Sequence, residues 1–195
     1  ASRGLGDVYK RQHKNIPMGA GLGGGSSDGT AALMLLNKQF SLGLNDTQLI
    51  HYASQLGSDC PFFVYNKACH ATGRGEILTP IQLDLSDYQF LLVHPGKHIS
   101  TAWAFQQLTP HTKTESIQSV ISKPIGEWKN NLVNDFEIPV FNAEPTLALI
   151  KEQLYELGAL YASMSGSGSS LFGIFPKHHF EHAPVIEHAL RIDLL

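Results

Sequence analysis

The chain has 195 residues, of which 43% are hydrophobic and 16% are charged, and its formal net charge is −3. This composition excludes a disordered chain and disfavours nucleic-acid binding, which needs a basic excess. No apolar run approaches the ~18 residues of a membrane-spanning helix, and Cys60 and Cys69 lack a metal-binding or redox spacing. We therefore expect a globular, cytoplasmic protein with reduced thiols, without nucleic-acid or membrane partners.

A glycine-rich segment, "PMGAGLGGGSSDG" at residues 17–29, runs directly into a helical pattern, "TAALMLLNKQF". Ser26 or Ser27 can cap this helix, and Asp28 would then lie in its first turn, where the helix dipole favours a carboxylate. The apolar side chains at helical spacing predict a buried stripe of Ala32, Leu33, Leu36 and Phe40.

A second helix is predicted over "NDTQLIHYASQLG", with Asn45 or Asp46 as its cap and Gly57 at its end. Its stripe comprises Leu49, Ile50, Ala53 and Leu56. The next residues, "SDCP", predict a turn, and "FFVY" predicts a short strand.

The middle of the chain alternates extended and short helical patterns. "ATGRGEILTPI" indicates a glycine bend between two extended pieces, and "YQFLLVHPG" at residues 88–96 predicts a buried strand that ends at Pro-Gly. Ser100 or Thr101 can cap a helix over "AWAFQQL". Residues 109–131 are polar, with a short helix over "ESIQSVIS".

The last third contains the best-marked helix, "EPTLALIKEQLYELG", with Pro145 in its first turn and Gly158 at its end. Its apolar stripe comprises Leu147, Ile150, Leu154 and Leu157. "LYASMSGSGSSLFGIF" then predicts a strand, a glycine turn and a strand. His178 and His182 would share a helix face, but a solvated segment is favoured there over a metal site. Irregular alternation of helices and strands indicates an α+β fold.

The function of the glycine segment has several explanations. A Gly/Ser linker would join two domains, whereas this segment leads straight into an apolar helix. Glycines before a helix instead suit an anion, because backbone N–H groups and the helix dipole point into one concavity. A Walker A loop would need a lysine after the glycines, and a dinucleotide loop would need a preceding buried strand and a ribose-binding acid.

The segment "PMGAGLGGGSSD" resembles the nucleotide loop of the GHMP kinases, which include galactokinase and homoserine, mevalonate and phosphomevalonate kinases. The resemblance implies a partial N-terminal ATP-binding domain over residues 1–80 and a smaller, α/β sandwich-like substrate domain over 81–195. It also implies Mg²⁺ as a cofactor, with Ser27 as a metal contact. The implied ATP-binding residues are Pro17, Met18, Gly19, Ala20, Gly21, Leu22, Gly23, Gly24, Gly25, Ser26 and Ser27.

Four further segments narrow the resemblance: "LGSDCPFF", "ATGRGEILTPI", "HPGKHISTAWAF" and "SMSGSGSSLFGIF". They are similar, in the same order, to segments of one branch of the family. That branch phosphorylates a hydroxyl group of a cytidine diphosphate-linked methylerythritol in isoprenoid-precursor synthesis. Two alternatives stay open: a GHMP kinase for another small alcohol, and a non-catalytic nucleotide-binding domain.

The narrower resemblance implies roles for individual residues. Asp59 would be the catalytic carboxylate, although the residues alone favour a helix or turn cap. Thr101 and Phe105 would contact the cytidine end, with Phe105 as a core residue the alternative. The loop with Gly166, Ser167 and Gly168 would fold against the phosphate site, and it can be a hairpin turn at the same time.

The chain also departs from the family. The expected N-terminal strand, with a lysine that partners the catalytic aspartate and with contacts to the cytosine, has no match in residues 1–16. Lys10 and Lys14 lie too close to the glycine loop to replace that lysine. We interpret residues 1–11 as an artefact and the chain as an inactive fragment of a monomeric or homodimeric kinase.

Overall fold

A computed structural model describes residues 12–109 and 115–195 of the chain. The helices are α1 Gly24–Gln39, α2 Asp46–Leu56, α3 Cys60–Tyr65, α4 Thr101–Gln106, α5 Ile117–Ile121, α6 Glu137–Ala143 and α7 Pro145–Glu156. The strands are β1 Cys69–Thr72, β2 Ile77–Pro80, β3 Tyr88–His94, β4 Tyr161–Met164, β5 Leu171–Pro176 and β6 Arg191–Leu194. None of the helices in these two ranges is both long and apolar enough to cross a membrane.

The strands form two antiparallel sheets. One is the hairpin of β1 and β2, and the other has four strands in the order β4-β5-β3-β6. In the larger sheet, Leu171 of β5 lies opposite Val93 of β3 on one side and Met164 of β4 on the other. Helix α7 packs against β4 and β5. Its predicted stripe is confirmed, because Leu147, Ile150 and Leu154 are fully buried in the core of this sheet and helix layer.

Local signals placed several elements correctly. Asn45 caps α2 in a reciprocal arrangement with Gln48: each side chain accepts a hydrogen bond from the other's backbone N–H at 3.0 Å. Gly57 ends α2, and Ser100 and Ser116 cap α4 and α5. The predicted strand over residues 88–94 and the strand–turn–strand over 161–176 are also confirmed.

The predicted strand "FFVY" is wrong, because these residues belong to helix α3. Pro61 lies in the first turn of α3, a position where its fixed φ and missing N–H suit a helix. The helix packs against α1 and α2, so tertiary contacts override the strand propensity of its aromatic residues. Two elements were not predicted at all, α6 and β6.

Helix α1 differs from its prediction at both its start and its stripe. It begins at Gly24 with Gly23 as its cap, so neither Ser26 nor Ser27 caps it, and Asp28 falls in the second turn. Leu36 and Phe40, members of the predicted buried stripe, are 41% and 43% exposed. His178 lies in a turn and His182 in a bend, and both are exposed, as expected for the favoured solvated segment.

Tyr161 of β4 makes a hydrogen bond within the core. Its hydroxyl donates to the backbone carbonyl of Leu132 at 2.8 Å, and its ring packs edge-on against Trp128. Burial is the main cause that raises the pKa of Tyr161 from its ordinary 10.0 to about 12. The folded protein therefore favours the neutral phenol, and this contribution to stability is complete below pH 10.

We expect Tyr161→Phe to lower the free energy of unfolding by about 1 kcal/mol at neutral pH, because the Leu132 carbonyl loses its donor. The difference from the wild type should shrink and then reverse in sign as the pH rises from 10 through about 12, because only the wild type has a phenol that loses stability on ionisation. Urea unfolding at several pH values measures both effects. Tyr52→Phe, at a 45% exposed position, is the control; an equal loss in both variants would contradict the assignment.

Candidate active site

The backbone φ angle alternates in sign along the glycine loop at residues 19–23. Gly19, Gly21 and Gly23 have φ values of +66°, +75° and +65°, which side-chain-bearing residues rarely adopt. Alternation of this kind turns successive N–H groups toward one side and forms an anion-binding concavity. The loop therefore has the backbone of a phosphate site, not that of an extended linker.

Helix α1 begins where this loop ends. Its first intrahelical hydrogen bond joins Ser27 N–H to the Gly23 carbonyl at 2.9 Å, so the N–H groups of residues 24–26 have no intrahelical acceptor. A 16-residue helix also places its positive dipole end here. The ammonium of Lys14 lies beside Gly24 and pairs with Asp28. Lys14 lies too close to the glycine loop to replace the family lysine, but its positive charge is next to the loop.

A second glycine loop, residues 165–170 between β4 and β5, packs against the first. The Ser165 hydroxyl donates to the Gly21 carbonyl at 2.8 Å, and Ser170 N–H donates to the Ala20 carbonyl at 3.1 Å. A Cβ on Gly21 would lie only 2.2 Å from the Ser165 carbonyl oxygen. The second loop is also the predicted hairpin turn, closed by the bond from Ser165 N–H to the Ser170 carbonyl. The second loop is therefore a hairpin turn and also packs against the first glycine loop.

These contacts fix the direction of two peptide groups in the first loop. The peptides between Ala20 and Gly21 and between Gly21 and Leu22 are trans, so each N–H points opposite to its carbonyl. Because both carbonyls face the second loop, the N–H groups of Gly21 and Leu22 face away from it. The second loop therefore orients donors that a bound phosphate would use.

Asp59 precedes helix α3 and is exposed. It occupies the cap position, but its carboxylate makes no capping hydrogen bond, so the expected alternative role as a side-chain cap is not realised. The turn of the β1–β2 hairpin lies beside it, with a Cβ on Gly75 3.6 Å from Asp59 Oδ1. The carboxylate is thus available to a ligand.

Two contacts connect helix α3, which Asp59 precedes, to helix α1 and the glycine loop. The buried hydroxyl of Thr30, in α1, donates at 2.8 Å to the carbonyl of Cys60, the residue that follows Asp59. Further along α3, the ring of Phe63 lies 3.1 Å from the Cβ position of Gly23. The start of α1 and the start of α3 are therefore held in one arrangement.

Thr101 and Phe105 lie one turn apart on α4. The Thr101 hydroxyl is 3.0 Å from the Ser167 hydroxyl, so α4 contacts the second loop. Phe105 is 61% exposed and packs edge-on against Phe136 with ring centroids 4.9 Å apart. Its exposure contradicts the alternative that Phe105 is a core residue, whereas Trp103 on the same helix packs against the core.

The structure gives the other predicted ligand residues a position but no role. Pro17 is half-buried and Met18 is 83% exposed, and Leu22, Gly25 and Ser26 continue the loop into α1. Ser27 lies in the first turns of α1, and no cluster of three or more His, Cys, Asp or Glu side chains accompanies it within residues 12–109 and 115–195. Nucleotide and metal binding by these residues stays a prediction.

Sequence reasoning missed three side chains around the two loops. His98 places Nδ1 3.0 Å from the Cβ position of Gly19. Asn134 and Glu137 hydrogen-bond to the chain at residues 163–166. Their spacing before an apolar run is a helix-start signal that could have predicted α6, but nothing local indicates their distant partners.

The comparisons with known proteins concern both halves of the chain. The sequence profile described as GHMP kinases N terminal domain matches residues 3–67, and the profile described as GHMP kinases C terminal matches residues 117–192. Together they cover the first glycine loop, Asp59 and the second glycine loop.

Similar curated proteins are named 4-diphosphocytidyl-2-C-methyl-D-erythritol kinase. The one from Azobacteroides pseudotrichonymphae is 53% identical over 174 residues, 89% of this chain and 65% of the relative. The one from Bacteroides fragilis is 50% identical over 169 residues, 87% of this chain and 61% of the relative. The chain thus spans less than two thirds of the length of these relatives.

A solved structure titled 4-(cytidine 5'-diphospho)-2C-methyl-D-erythritol kinase has a similar fold. It matches with a TM-score of 0.66 at 31% identity and covers 83% of this chain and 59% of that protein. The match confirms the expected α+β fold of the GHMP kinase type.

Two glycine substitutions test the packing of the loops. We expect Gly21→Ala to lower the free energy of unfolding by more than about 2 kcal/mol, because its methyl group would collide with the backbone at positive φ. Gly25→Ala, with nothing within 4 Å of its Cβ position, should instead raise it by about 0.5 kcal/mol. Urea unfolding of both variants measures the contrast; similar changes in both would show that the loops do not touch in solution.

Proposed function

Because the chain belongs to the GHMP kinase family, we propose that the whole protein transfers the γ-phosphoryl group of ATP to the 2-hydroxyl of 4-diphosphocytidyl-2-C-methyl-D-erythritol. The observation that carries the proposal is the juxtaposition of the positive-φ glycine loop at the start of α1 with the uncapped, exposed carboxylate of Asp59. The identity of 50–53% to relatives with this name supports the choice of acceptor. The reaction is a step in isoprenoid-precursor synthesis.

The residues present fit a nucleotide phosphate chain. The amides of residues 21–26, four of which are glycines, offer donors with little side-chain bulk. The α1 dipole and the Lys14 ammonium add positive potential. Residues 17–27 hold ATP in this proposal. Mg²⁺ would be held by the Ser27 hydroxyl and would supply neutralisation of phosphate charge.

Asp59 acts on the acceptor. Phosphoryl transfer has a loose transition state and depends mainly on positioning and charge stabilisation. The carboxylate of Asp59 orients the attacking hydroxyl by accepting its hydrogen bond and receives its proton as the new P–O bond forms. Because the carboxylate has no capping bond to break, it is free for this contact.

The cytidine end of the acceptor binds between α4 and the second loop. Phe105 offers an exposed ring for stacking on the pyrimidine, and Phe136 supports it from the side. Thr101, with Gly166, Ser167 and Gly168, forms the polar part of this subsite, since its hydroxyl already contacts Ser167.

The organisation of the protein is proposed on the same basis. Residues 1–80 carry the nucleotide and residues 81–195 the acceptor; strand pairing within the described residues stays on one side of residue 80 or the other, which supports this division. A cytoplasmic location and a monomer or homodimer complete the proposal.

The first test is turnover by the longer protein that contains this chain, with Mg²⁺-ATP and 4-diphosphocytidyl-2-C-methyl-D-erythritol. We expect Asp59→Asn to lower kcat about 10²-fold or more, because the amide cannot take the hydroxyl proton. ADP release, measured by a coupled assay with and without the acceptor, follows the reaction.

Asp46→Asn is the matched control, since it removes one carboxylate at the start of another helix. Its kcat should equal that of the wild type. ADP release that ignores the cytidine compound would exclude this acceptor, and homoserine and mevalonate would be tried next. Full activity of Asp59→Asn with the cytidine compound would exclude Asp59 as the residue that takes the hydroxyl proton, while the choice of acceptor would stand.

Phe105→Ala tests the cytidine subsite. We expect KM for the cytidine substrate to rise about tenfold, the usual effect of losing an aromatic ring that stacks on a base, while KM for ATP stays constant. Phe40→Ala, an exposed ring at the opposite end of α1 from the glycine loop, should change neither value. A rise in KM for ATP alone would indicate that Phe105 contacts ATP instead of the cytidine substrate.

A further inference from the structure

The end of strand β4 is held by two side chains from the start of α6. Glu137 Oε1 accepts from Met164 N–H at 2.9 Å and from the Ser163 hydroxyl at 3.1 Å. Asn134 Nδ2 donates to the carbonyls of Met164 and Gly166, both at 2.8 Å. Both backbone groups of Met164 are therefore bound by this pair of side chains, which we call the α6 clamp.

The position of β4 explains why such a clamp is needed. β4 is an edge strand of the four-stranded sheet, so its outward-facing backbone groups have no neighbouring strand to pair with among residues 12–109 and 115–195. Glu137, with a side chain only 7% exposed, is held by an ion pair with Lys151 at 2.5 Å. A buried carboxylate with an ion pair and two donors is fixed in position.

The orientation of the Asn134 carboxamide is also fixed. Its Oδ1 accepts from Phe136 N–H at 2.9 Å, which leaves Nδ2 to face the two carbonyls. The bond to Gly166 reaches past β4 into the second glycine loop. The clamp thus sets where the chain leaves the sheet and how the second loop begins.

The contacts continue from the clamp to the first glycine loop. Ser165, between the two carbonyls held by Asn134, donates its hydroxyl to the Gly21 carbonyl, and Ser170 N–H donates to the Ala20 carbonyl. These two bonds turn the N–H groups of Gly21 and Leu22 to the opposite side. A shift of the second loop would therefore rotate the donors offered to phosphate.

We propose that Asn134 and Glu137 are positioning residues for nucleotide binding, acting through the second glycine loop; this rests on the proposed function of the first loop. They set the peptide orientations at Ala20 and Gly21 from the start of α6. Substitutions in the α6 clamp should therefore weaken nucleotide binding beyond what their effect on stability explains.

The affinity test uses Asn134→Asp and Asn134→Ala in the 195-residue chain. We expect Kd for Mg²⁺-ADP, measured by titration calorimetry, to rise about tenfold in Asn134→Ala, because two carbonyls lose their donor. The rise should be larger in Asn134→Asp, because its carboxylate faces the same carbonyls. Asn131→Asp, whose exposed side chain bonds to the nearby Glu127 carbonyl, is the control and should keep the wild-type Kd.

Native-state hydrogen exchange of the wild type tests the coupling without any variant or nucleotide. If the clamp positions the loop, Met164 N–H, bound to Glu137, and Ser170 N–H, bound to Ala20, should open with the same free energy and urea dependence. Opening of Ser170 at a lower free energy than Met164 would overturn the proposal.

The two measurements separate the possible failures. Variants with a lowered midpoint of thermal unfolding but an unchanged Kd would show that the clamp is only structural. If the wild-type chain binds no Mg²⁺-ADP, nucleotide binding by this chain fails, and the exchange experiment still decides whether the clamp holds the loop.

Discussion

The close approach of Gly21 to the turn at residues 165–168 is the constraint on which the site depends. The two loops meet backbone to backbone, with no room for even a methyl group, although they are 144 positions apart between Gly21 and Ser165. Each loop is tied to a different body of structure: the first opens α1, and the second joins β4 to β5. Their contact therefore makes one site from the helical part and the larger sheet.

A second, smaller constraint joins the start of helix α3, which Asp59 precedes, to helix α1. Thr30 is fully buried in a helix whose apolar residues are largely exposed, and its hydroxyl bonds to the carbonyl of Cys60. This bond joins the second turn of α1 to the start of α3, where Asp59 lies. The polar contact, more than the apolar stripe expected from the sequence, aligns the two helices.

The elements that could be predicted from the sequence are those whose formation depends on residues close together in the chain. Caps, apolar spacing and terminal glycines gave α2, α7 and the β4–β5 hairpin, because their signals lie within a few residues of one another. Local reasoning was wrong for α3, since packing on α1 and α2 overrides its strand-like residues. It was also wrong for Asp28, which lies in the second turn of α1 instead of the first and pairs with Lys14. Asn134 and Glu137 escaped prediction because their partners lie about 30 positions away.

The first glycine loop, for which we propose phosphate binding, is compatible with the net charge of −3 of the chain. Its donors are backbone N–H groups and a helix terminus, which add no formal charge and leave no mark on composition. Lys14 is partly neutralised by Asp28, so conformation contributes more here than charge. Recognition by backbone depends on exact peptide orientation, and that orientation is set by contacts made elsewhere. Residues remote from the ligand, such as those at the start of α6, consequently matter as much as the loop itself.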